Sequence, residues 1–164
     1  MFNLNDNLKN KKFLIYGHGK SGHASFNYLK KNNKVSIYDD NKINRKSFIS
    51  LKKIKLTKFD HIVLSPGIDI NKCKLKEYLK KNRKKIITDL DIFYLNNPKN
   101  LKITITGTNG KSTTAKLLFK ILKDQNKDVK LIGNIGIPVL FKNRIRPSTI
   151  FVIEESSYQI DYSQ

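Results

Sequence analysis

Short apolar runs alternate with helical patterns along the first half of the chain. The first run, Phe13-Leu14-Ile15-Tyr16, has the length of a buried strand and ends at a glycine. Apolar residues then recur at helical spacing before a second run begins at Val35. Strands are predicted at 13–16, 35–38, 59–64 and 85–87, and helices at 24–31, 75–81 and 89–95, the last capped by Asp89. This alternation favours a parallel sheet with helices on its faces, which is an α/β fold.

The pattern restarts after a polar stretch at 96–100, Asn-Asn-Pro-Lys-Asn, which is typical of a linker. Beyond it, strands are predicted at 101–106, 129–132 and 149–153, and a helix at 113–125, with its apolar side formed by Ala115, Leu117, Leu118, Ile121 and Leu122. We therefore predict two α/β units, residues 1–97 and 98–164. Because three strands are fewer than the usual five to six of a sheet, we expect the second unit to be truncated, part of a longer protein.

The net charge of +20 raises the question of a nucleic-acid partner. The cations are mostly lysines spread over nearly every segment, and only Arg45, Arg83, Arg144 and Arg146 are arginines. Nucleic-acid sites favour arginine for bidentate contacts to phosphates and bases. Lysine also accompanies abundant Asn and Ile, all with AT-rich codons, so we interpret the charge as a solvated surface. We expect no nucleic-acid partner, although the charge can attract phosphorylated substrates.

Apolar run lengths, the N-terminal residues and the cysteine and histidine content further limit the class of protein. The chain has no apolar run of membrane-spanning length and begins without a signal-peptide pattern, so we expect a cytoplasmic protein with no membrane insertion. The single cysteine, Cys73, excludes an internal disulfide. His18, His23 and His61 lack metal-ligand spacing, so none is assigned a catalytic role.

The segment Gly107-Thr108-Asn109-Gly110-Lys111-Ser112 lies between a predicted strand and a predicted helix. Glycines allow backbone N–H groups to turn toward a phosphate, and the helix N-terminus adds partial positive charge. Lys111 can reach the outer phosphates of a nucleotide, and the Ser112 hydroxyl can bind Mg²⁺. Lysine is unfavourable in a first helical turn unless an anion is bound there. The segment therefore predicts an ATP site, although Ile105 stands where the general phosphate-loop pattern begins with glycine.

A second glycine motif, Gly17-His18-Gly19-Lys20-Ser21-Gly22, follows the first predicted strand, and Asp39 ends the next strand. This arrangement matches a dinucleotide fingerprint, but the same turn can hold any diphosphate or serve only as a structural turn. Ser65, Pro66 and Gly67 follow a third strand. Ligands of open α/β sheets bind at this edge, so we predict a second binding site there.

Four segments resemble the Mur ligase family. The first is the loop at 106–112, T-G-T-N-G-K-S, which is shared with the folylpolyglutamate synthases related to that family. The others are L-S-P-G-I at 64–68, G-N-I-G at 133–136 and V-I-E-E-S-S-Y-Q-I at 152–160. The last three resemble segments of the members that add D-glutamate, whereas members that add L-alanine usually carry histidine at the position of Asn109 and an E-x-D-E-S-D segment in place of residues 154–158. It covers residues from about 12 to 162, with the motifs in the family order.

This resemblance implies a Rossmann-like N-terminal domain that holds the UDP part of a substrate, followed by the beginning of a P-loop-type central domain. It implies ATP and Mg²⁺ as cofactors, and UDP-N-acetylmuramoyl-L-alanine and D-glutamate as substrates of a monomeric enzyme of peptidoglycan synthesis. The alanine carboxylate would take the γ-phosphoryl group of ATP, and D-glutamate would then displace phosphate from the acyl phosphate. Family parts expected beyond residue 164 include a histidine metal ligand, a carbamylated lysine and the domain that binds D-glutamate, so we expect no turnover by this chain alone.

The resemblance also assigns roles to individual residues. Lys111 and Glu154 are the expected catalytic residues, and Ser112 with Glu154 the expected Mg²⁺ ligands. The expected ATP-binding residues are Gly107, Thr108, Asn109, Gly110, Lys111, Ser112 and Thr113. The expected substrate-binding residues are Gly19, Lys20, Ser21, Asp39, Asp40, Ser65, Pro66, Gly67, Asn134, Ser157 and Gln159.

Three positions depart from the family pattern. Asp40 and Asn41 replace a common Thr-Arg pair, which puts the base and sugar contacts there in question. Glu155 stands where relatives usually carry an apolar residue, so we expect it to be structural or exposed. The alternatives are another amino-acid ligase of the family and a nucleotide-binding module without catalysis.

Overall fold

The computed structural model describes residues 8–41, 47–141, 145–156, 160 and 162. Within this part of the chain, seven strands form two sheets, and every strand pair is parallel. The predicted α/β fold with parallel sheets is confirmed. Within the same residues, no helix has the length and apolar character that crossing a membrane requires.

The first sheet contains four strands in the order β2-β1-β3-β4. Its strands are β1 (Lys12–Tyr16), β2 (Lys34–Tyr38), β3 (His61–Leu64) and β4 (Ile86–Ile87). The helices of this unit are α1 (Lys20–Leu29), α2 (Leu51–Leu56), α3 (Lys76–Lys81) and α4 (Asp89–Asn96), with a 3₁₀ turn at Arg83–Lys85. Because β1 and β3 are adjacent, the turns that follow them meet at one edge of the sheet.

The second sheet contains three strands in the order β5-β7-β6. Its elements are β5 (Lys102–Ile105), α5 (Lys111–Asp124), β6 (Val129–Gly133) and β7 (Ile150–Glu154). The last strand in sequence is thus the central strand, paired on both sides. The proposed division between the units, at residues 97 and 98, falls between α4 and β5.

One apolar cluster joins the two sheets. It includes Phe13 and Ile15 from the first sheet, Phe93 from α4, and Phe151 and Ile153 from the second sheet. The rings of Phe93 and Phe151 meet edge to face, with centroids 4.8 Å apart, a favourable aromatic geometry. The opposite face of the first sheet packs on a separate cluster. The two units therefore share a continuous core through α4.

The start of α1 and the capping residue of α4 differ from the sequence prediction. Helix α1 begins at Lys20, directly after the glycine turn and four residues before the predicted start. The predicted cap at Asp89 was wrong, since Thr88 caps α4. The Thr88 hydroxyl accepts from the Asp91 N–H, while the Asp91 carboxylate accepts from the Thr88 N–H at 2.7 Å. This reciprocal pair satisfies two N–H groups, so it is more favourable than a cap by Asp89, which would satisfy only one.

The predicted apolar side of α5 is only partly covered. Ala115 is fully buried, whereas Leu117 is 59% exposed and Ile121 45% exposed. Helix α5 packs against β6 and β7 through a narrow stripe. Leu117 and Ile121 are one turn apart and share a face that the described residues leave exposed.

Candidate active site

The loop between β5 and α5 has the geometry of an anion site. Gly110 caps α5 in the left-handed conformation, with φ of 76° and no side-chain cap. The Lys111 ammonium donates to the carbonyl oxygens of Gly107 at 2.6 Å and Thr108 at 3.3 Å. No acidic residue occupies the first turn. The helix N-terminus and the ammonium therefore place positive charge together, which suits a phosphate group.

Glu154 ends the central strand β7, between the carboxyl ends of β5 and β6. It pairs with Ile105 on one side and Gly133 on the other. Phe151 and Ile153 belong to the shared core, so alternation along the strand puts Val152 and Glu154 on the face that α5 covers. The structure therefore places the Glu154 carboxylate on the side of the sheet where the phosphate loop begins α5.

The Glu154 carboxylate is suited to a cation. Glu154 is 5% exposed, and its Oε2 atom has no hydrogen-bond partner among the described residues. A buried, unpaired carboxylate oxygen is costly unless a positive charge neutralises it. Mg²⁺ binds through one or two carboxylates together with phosphate oxygens and water, so the residues present fit this ion.

The turn after β6 presses against the backbone of Glu154. Gly133 has φ of 106°, and a Cβ atom there would lie 2.2 Å from the Glu154 carbonyl oxygen. The Asn134 N–H donates to the same oxygen at 3.0 Å. Only glycine fits this close approach. The contact fixes Asn134 beside the end of the central strand.

A cleft of about 550 Å³ opens between the two units. Its first wall comes from the glycine turn after β1 and the turn after β3, and its second from the turn after β6 and from α5. Eight of the predicted substrate residues line it: Gly19, Lys20, Ser21, Asp39, Ser65, Pro66, Gly67 and Asn134. Among the described residues, the lining does not include the phosphate loop at 107–113.

Side chains around the first glycine turn hold its shape. The Ser65 hydroxyl donates to the Gly17 carbonyl oxygen at 3.0 Å. The Asp39 carboxylate accepts from the N–H groups of His18 at 2.7 Å and Asn41 at 3.0 Å. No heavy atom lies within 4 Å of a Cβ built on Gly19. The turn is thus fixed from behind, while Gly19 leaves room for a group to approach the backbone.

Of the predicted substrate residues that the structure describes, Asp40 alone does not line this cleft. Asp40 does not line it, because its carboxylate accepts from the Tyr16 hydroxyl at 2.8 Å. Burial raises the pKa of Tyr16 above its ordinary value, so the hydroxyl remains a donor. A substrate contact by Asp40 rests on the resemblance alone. Ser157 and Gln159 lie outside the described residues.

Comparison with known proteins indicates the family of the chain. A family model described as the Mur ligase middle domain matches residues 105–164, which include the phosphate loop and Glu154. The chain is 38% identical to the UDP-N-acetylmuramoylalanine–D-glutamate ligase of Francisella philomiragia over 95% of its length. Proteins of the same name from Oenococcus oeni and Francisella tularensis subsp. novicida are 36% and 38% identical over 94% and 98% of the chain.

The chain belongs to the Mur ligase family. It spans about a third of the length of these relatives, 36%, 35% and 37% respectively. The resemblance inferred from the sequence is thereby confirmed.

Sequence reasoning missed several residues that line the cleft of this Mur ligase chain. His18, Lys116 and Pro138 line the cleft, but none was predicted to bind substrate. His18 lies inside the glycine motif, so its position alone could have suggested it. Lys116 follows Ser112 by four residues on α5, and residues at this spacing share a helix face. That spacing was the available signal for Lys116.

Three acids lie close together where the units of the Mur ligase chain meet. Asp89, Asp91 and Glu155 are buried, being 2%, 5% and 7% exposed. Burial, helped by the negative charge of Asp91, raises the pKa of Asp89 to about 6, although hydrogen bonds from the Leu90 N–H and the Ser21 hydroxyl oppose the rise. Burial, followed by the charges of Asp91 and Asp89, also raises the pKa of Glu155. Glu155 is therefore a buried acid coupled to α4.

We expect Asp89→Asn to stabilise the chain at neutral pH. The folded state binds the Asp89 proton more tightly than the unfolded state does. Protonation of Asp89 therefore increases the free energy of unfolding as pH falls through about 6. Moving the pKa from 3.8 to about 6 corresponds to at most about 3 kcal/mol. Urea unfolding from pH 4 to 8 should show a variant more stable than wild type at pH 7.5, with the difference vanishing near pH 4.

Asp124→Asn provides a matched control for this prediction, since Asp124 is exposed at the end of α5. Its effect should stay within about 0.5 kcal/mol at every pH. An Asp89→Asn chain that is less stable than wild type at pH 7.5 would contradict the raised pKa.

Proposed function

We propose that this chain forms the nucleotide- and UDP-substrate-binding part of an ATP-dependent ligase that joins D-glutamate to UDP-N-acetylmuramoyl-L-alanine. One observation carries the proposal: the buried Glu154 carboxylate ends the strand that lies between the phosphate-loop strand and the Asn134 turn. A metal-binding acid between two such turns is suited to phosphoryl transfer and has no use in a simple binding module. The cytoplasm, where UDP-linked precursors and ATP are made, is the proposed location.

The proposed ATP site is the loop at 107–113. Bound ATP would supply the phosphoryl group, and Mg²⁺ would neutralise its charge. Backbone N–H groups of the loop would hold the phosphates, with Lys111 at the outer ones. The Ser112 hydroxyl and the Glu154 carboxylate would hold the metal, directly or through water. The oxygen of Glu154 that lacks a partner among the described residues supports this role.

The proposed site for the UDP-linked substrate is the cleft. The glycine turn would hold the diphosphate, since it begins α1 with open backbone at Gly19 and the ammonium of Lys20 beside it. Asn134 would contact the acyl end, because its turn lies against Glu154. Substrate held in this way would extend from the first unit toward the phosphate loop of the second.

The proposed reaction follows from this placement. An alanine carboxylate oxygen would attack the γ-phosphorus of ATP, forming an acyl phosphate as ADP leaves. The D-glutamate amine would then attack the acyl carbon, and phosphate would leave with the bonding electrons. The chain's contribution is to position the two reactants and to offset charge, which supplies most of the catalysis in phosphoryl transfer. The amino-acid specificity in this proposal rests on the names of the relatives.

A thermal-shift panel on the 164-residue chain tests this proposal. The ligands are UDP-N-acetylmuramoyl-L-alanine, ATP with and without Mg²⁺, NADH and a DNA oligonucleotide. A ligand at a hundred times its Kd should add about 2.7 kcal/mol of stability, which is roughly 5–10 °C in Tm. We expect shifts with the UDP compound and with Mg²⁺–ATP only.

Glu154→Gln supplies the internal control, since it keeps the shape of the side chain and removes its charge. In this variant, Mg²⁺ should no longer increase the shift caused by ATP. Stabilisation by NADH without stabilisation by the UDP compound would instead identify a dinucleotide-binding module. If Mg²⁺ increased the shift caused by ATP equally in Glu154→Gln and wild type, the Glu154 carboxylate would not be a metal ligand.

A further inference from the structure

Lys116 is the one cation that the second unit contributes to the lining of the cleft, as far as the described residues show. It lies in the second turn of α5, four residues after Ser112 and thus on the same face of the helix. Long helical side chains lean toward the helix N-terminus, so Lys116 extends back toward the end at which the phosphate loop begins the helix. Lys116 therefore lines the cleft from the helix that the proposed ATP loop begins.

The charges around the cleft favour an anion. Lys20 from the first unit and Lys116 from the second line it, and Asp39 is the only carboxylate in the lining among the described residues. Both Asp39 oxygens already accept from backbone N–H groups. Lys116 makes no ion pair within the described part of the chain. Two ammonium groups on facing walls therefore exceed the negative charge that the cleft itself supplies.

We propose that Lys116 is a substrate-positioning residue, which binds from the second unit the diphosphate that the first unit's glycine turn holds. This inference rests on the proposed function and deepens it, because the diphosphate site then includes both units. An ammonium paired with a phosphate oxygen in a partly enclosed cleft forms a charge-assisted hydrogen bond. Substrate bound in this way holds the two units at a fixed separation through its own diphosphate.

The source of the diphosphate decides how the inference is tested. A UDP-linked substrate and a dinucleotide both present this group, and ATP presents phosphates at the neighbouring loop. UDP, NADH and ADP are therefore compared as probes, together with uridine, which lacks phosphate. The difference between UDP and uridine measures recognition of the diphosphate alone.

The experiment uses calorimetric titration of the 164-residue chain and three variants. Lys116→Gln removes the charge, Lys116→Arg keeps it, and Lys120→Gln removes an exposed charge one turn further along α5, outside the cleft lining. Because the Lys116→Gln variant lacks this charged hydrogen bond, it should bind UDP about tenfold more weakly than wild type. Uridine and ADP affinities should change by less than about twofold, Lys116→Arg should retain most of the UDP affinity, and Lys120→Gln should match wild type.

Each other outcome overturns a specific statement. Equal UDP affinities of Lys116→Gln and wild type would refute the role of Lys116 while leaving the proposed function intact. A loss of ADP affinity without a loss of UDP affinity would assign Lys116 to the nucleotide loop instead. Absence of UDP binding by wild type, or preference for NADH over UDP, would refute the proposed substrate site itself, and the inference with it. Unchanged Tm values for the variants exclude a folding defect as the cause.

Discussion

Lys111→Ala should abolish most of the affinity of the chain for Mg²⁺–ATP. In the structure the Lys111 ammonium bends over its own loop and donates to the Gly107 and Thr108 carbonyl oxygens. An ATP phosphate would offer it a charged acceptor in place of neutral ones, and a hydrogen bond between charged groups contributes about 1.5–3 kcal/mol. Its loss corresponds to a decrease of roughly 10- to 150-fold in affinity, measurable by calorimetric titration.

Lys123→Ala is the appropriate control for this result. Lys123 lies on the same helix, in its last turn, and is exposed. Its removal alters the net charge equally, so a general electrostatic effect would appear in both variants, whereas a specific contact would appear only in Lys111→Ala. If the two variants bind Mg²⁺–ATP with equal affinity, Lys111 does not contact the phosphates.

The motifs themselves could be predicted from sequence because their chemistry is local. A strand, a glycine turn and a helix that opens with Lys111-Ser112 occupy consecutive residues, and backbone sterics decide the turn. Gly110 adopts the left-handed conformation at the helix cap, as this motif requires. The first glycine turn and the turn after β3 were likewise placed at one sheet edge, because parallel strands put their carboxyl ends together.

The order of the second sheet could not be predicted in the same way. β7 is last in the sequence yet lies between β5 and β6, so Glu154 has a glycine turn on each side. Strand order depends on which apolar faces meet, here Phe151 and Ile153 against Phe93, and these contacts join residues far apart in sequence. For the same reason, Lys116 appears as a cleft residue only after the two units are placed together.

Polar residues after a strand were the least predictable from sequence. Asp39 and Asp40 are neighbours, and both were predicted to bind substrate. Consecutive side chains at a strand end point in opposite directions, so only one of them can face the cleft. Asp39 does, whereas Asp40 accepts from Tyr16 on the other side. Burial of the tyrosine hydroxyl, which must find an acceptor, explains this outcome.

The environment of Glu155 was likewise difficult to predict from sequence. We expected this acid to be structural or exposed. It directly follows Glu154, the proposed metal ligand, and its N–H donates to the Ile105 carbonyl oxygen at 3.0 Å. Continuation of the pairing beyond β7 turns its side chain toward Asp89 and Asp91 rather than to solvent. The sequence alone showed a charged residue in an apolar family position; the tertiary contact with α4 determines that it is buried.

Gly133→Ala should cause a large loss of stability in the second unit. The residue has φ of 106°, which is unfavourable for any side chain, and its Cβ would lie 2.2 Å from the Glu154 carbonyl oxygen. Relief requires β6 and β7 to separate at the end of the central strand, with loss of the Asn134 hydrogen bond to that oxygen. The strain and the lost contact together should lower the free energy of unfolding by roughly 3–5 kcal/mol.

Gly67→Ala separates this steric effect from a general intolerance of alanine. No heavy atom lies within 4 Å of a Cβ built at Gly67, and its backbone is not in the left-handed region. Its free energy of unfolding should therefore stay within about 0.5 kcal/mol of wild type in urea titration. If Gly133→Ala were equally mild, the turn would not be pressed against Glu154. The central acid would then lack the support that holds it between the two glycine turns, and the arrangement proposed for phosphoryl transfer would lose its structural basis.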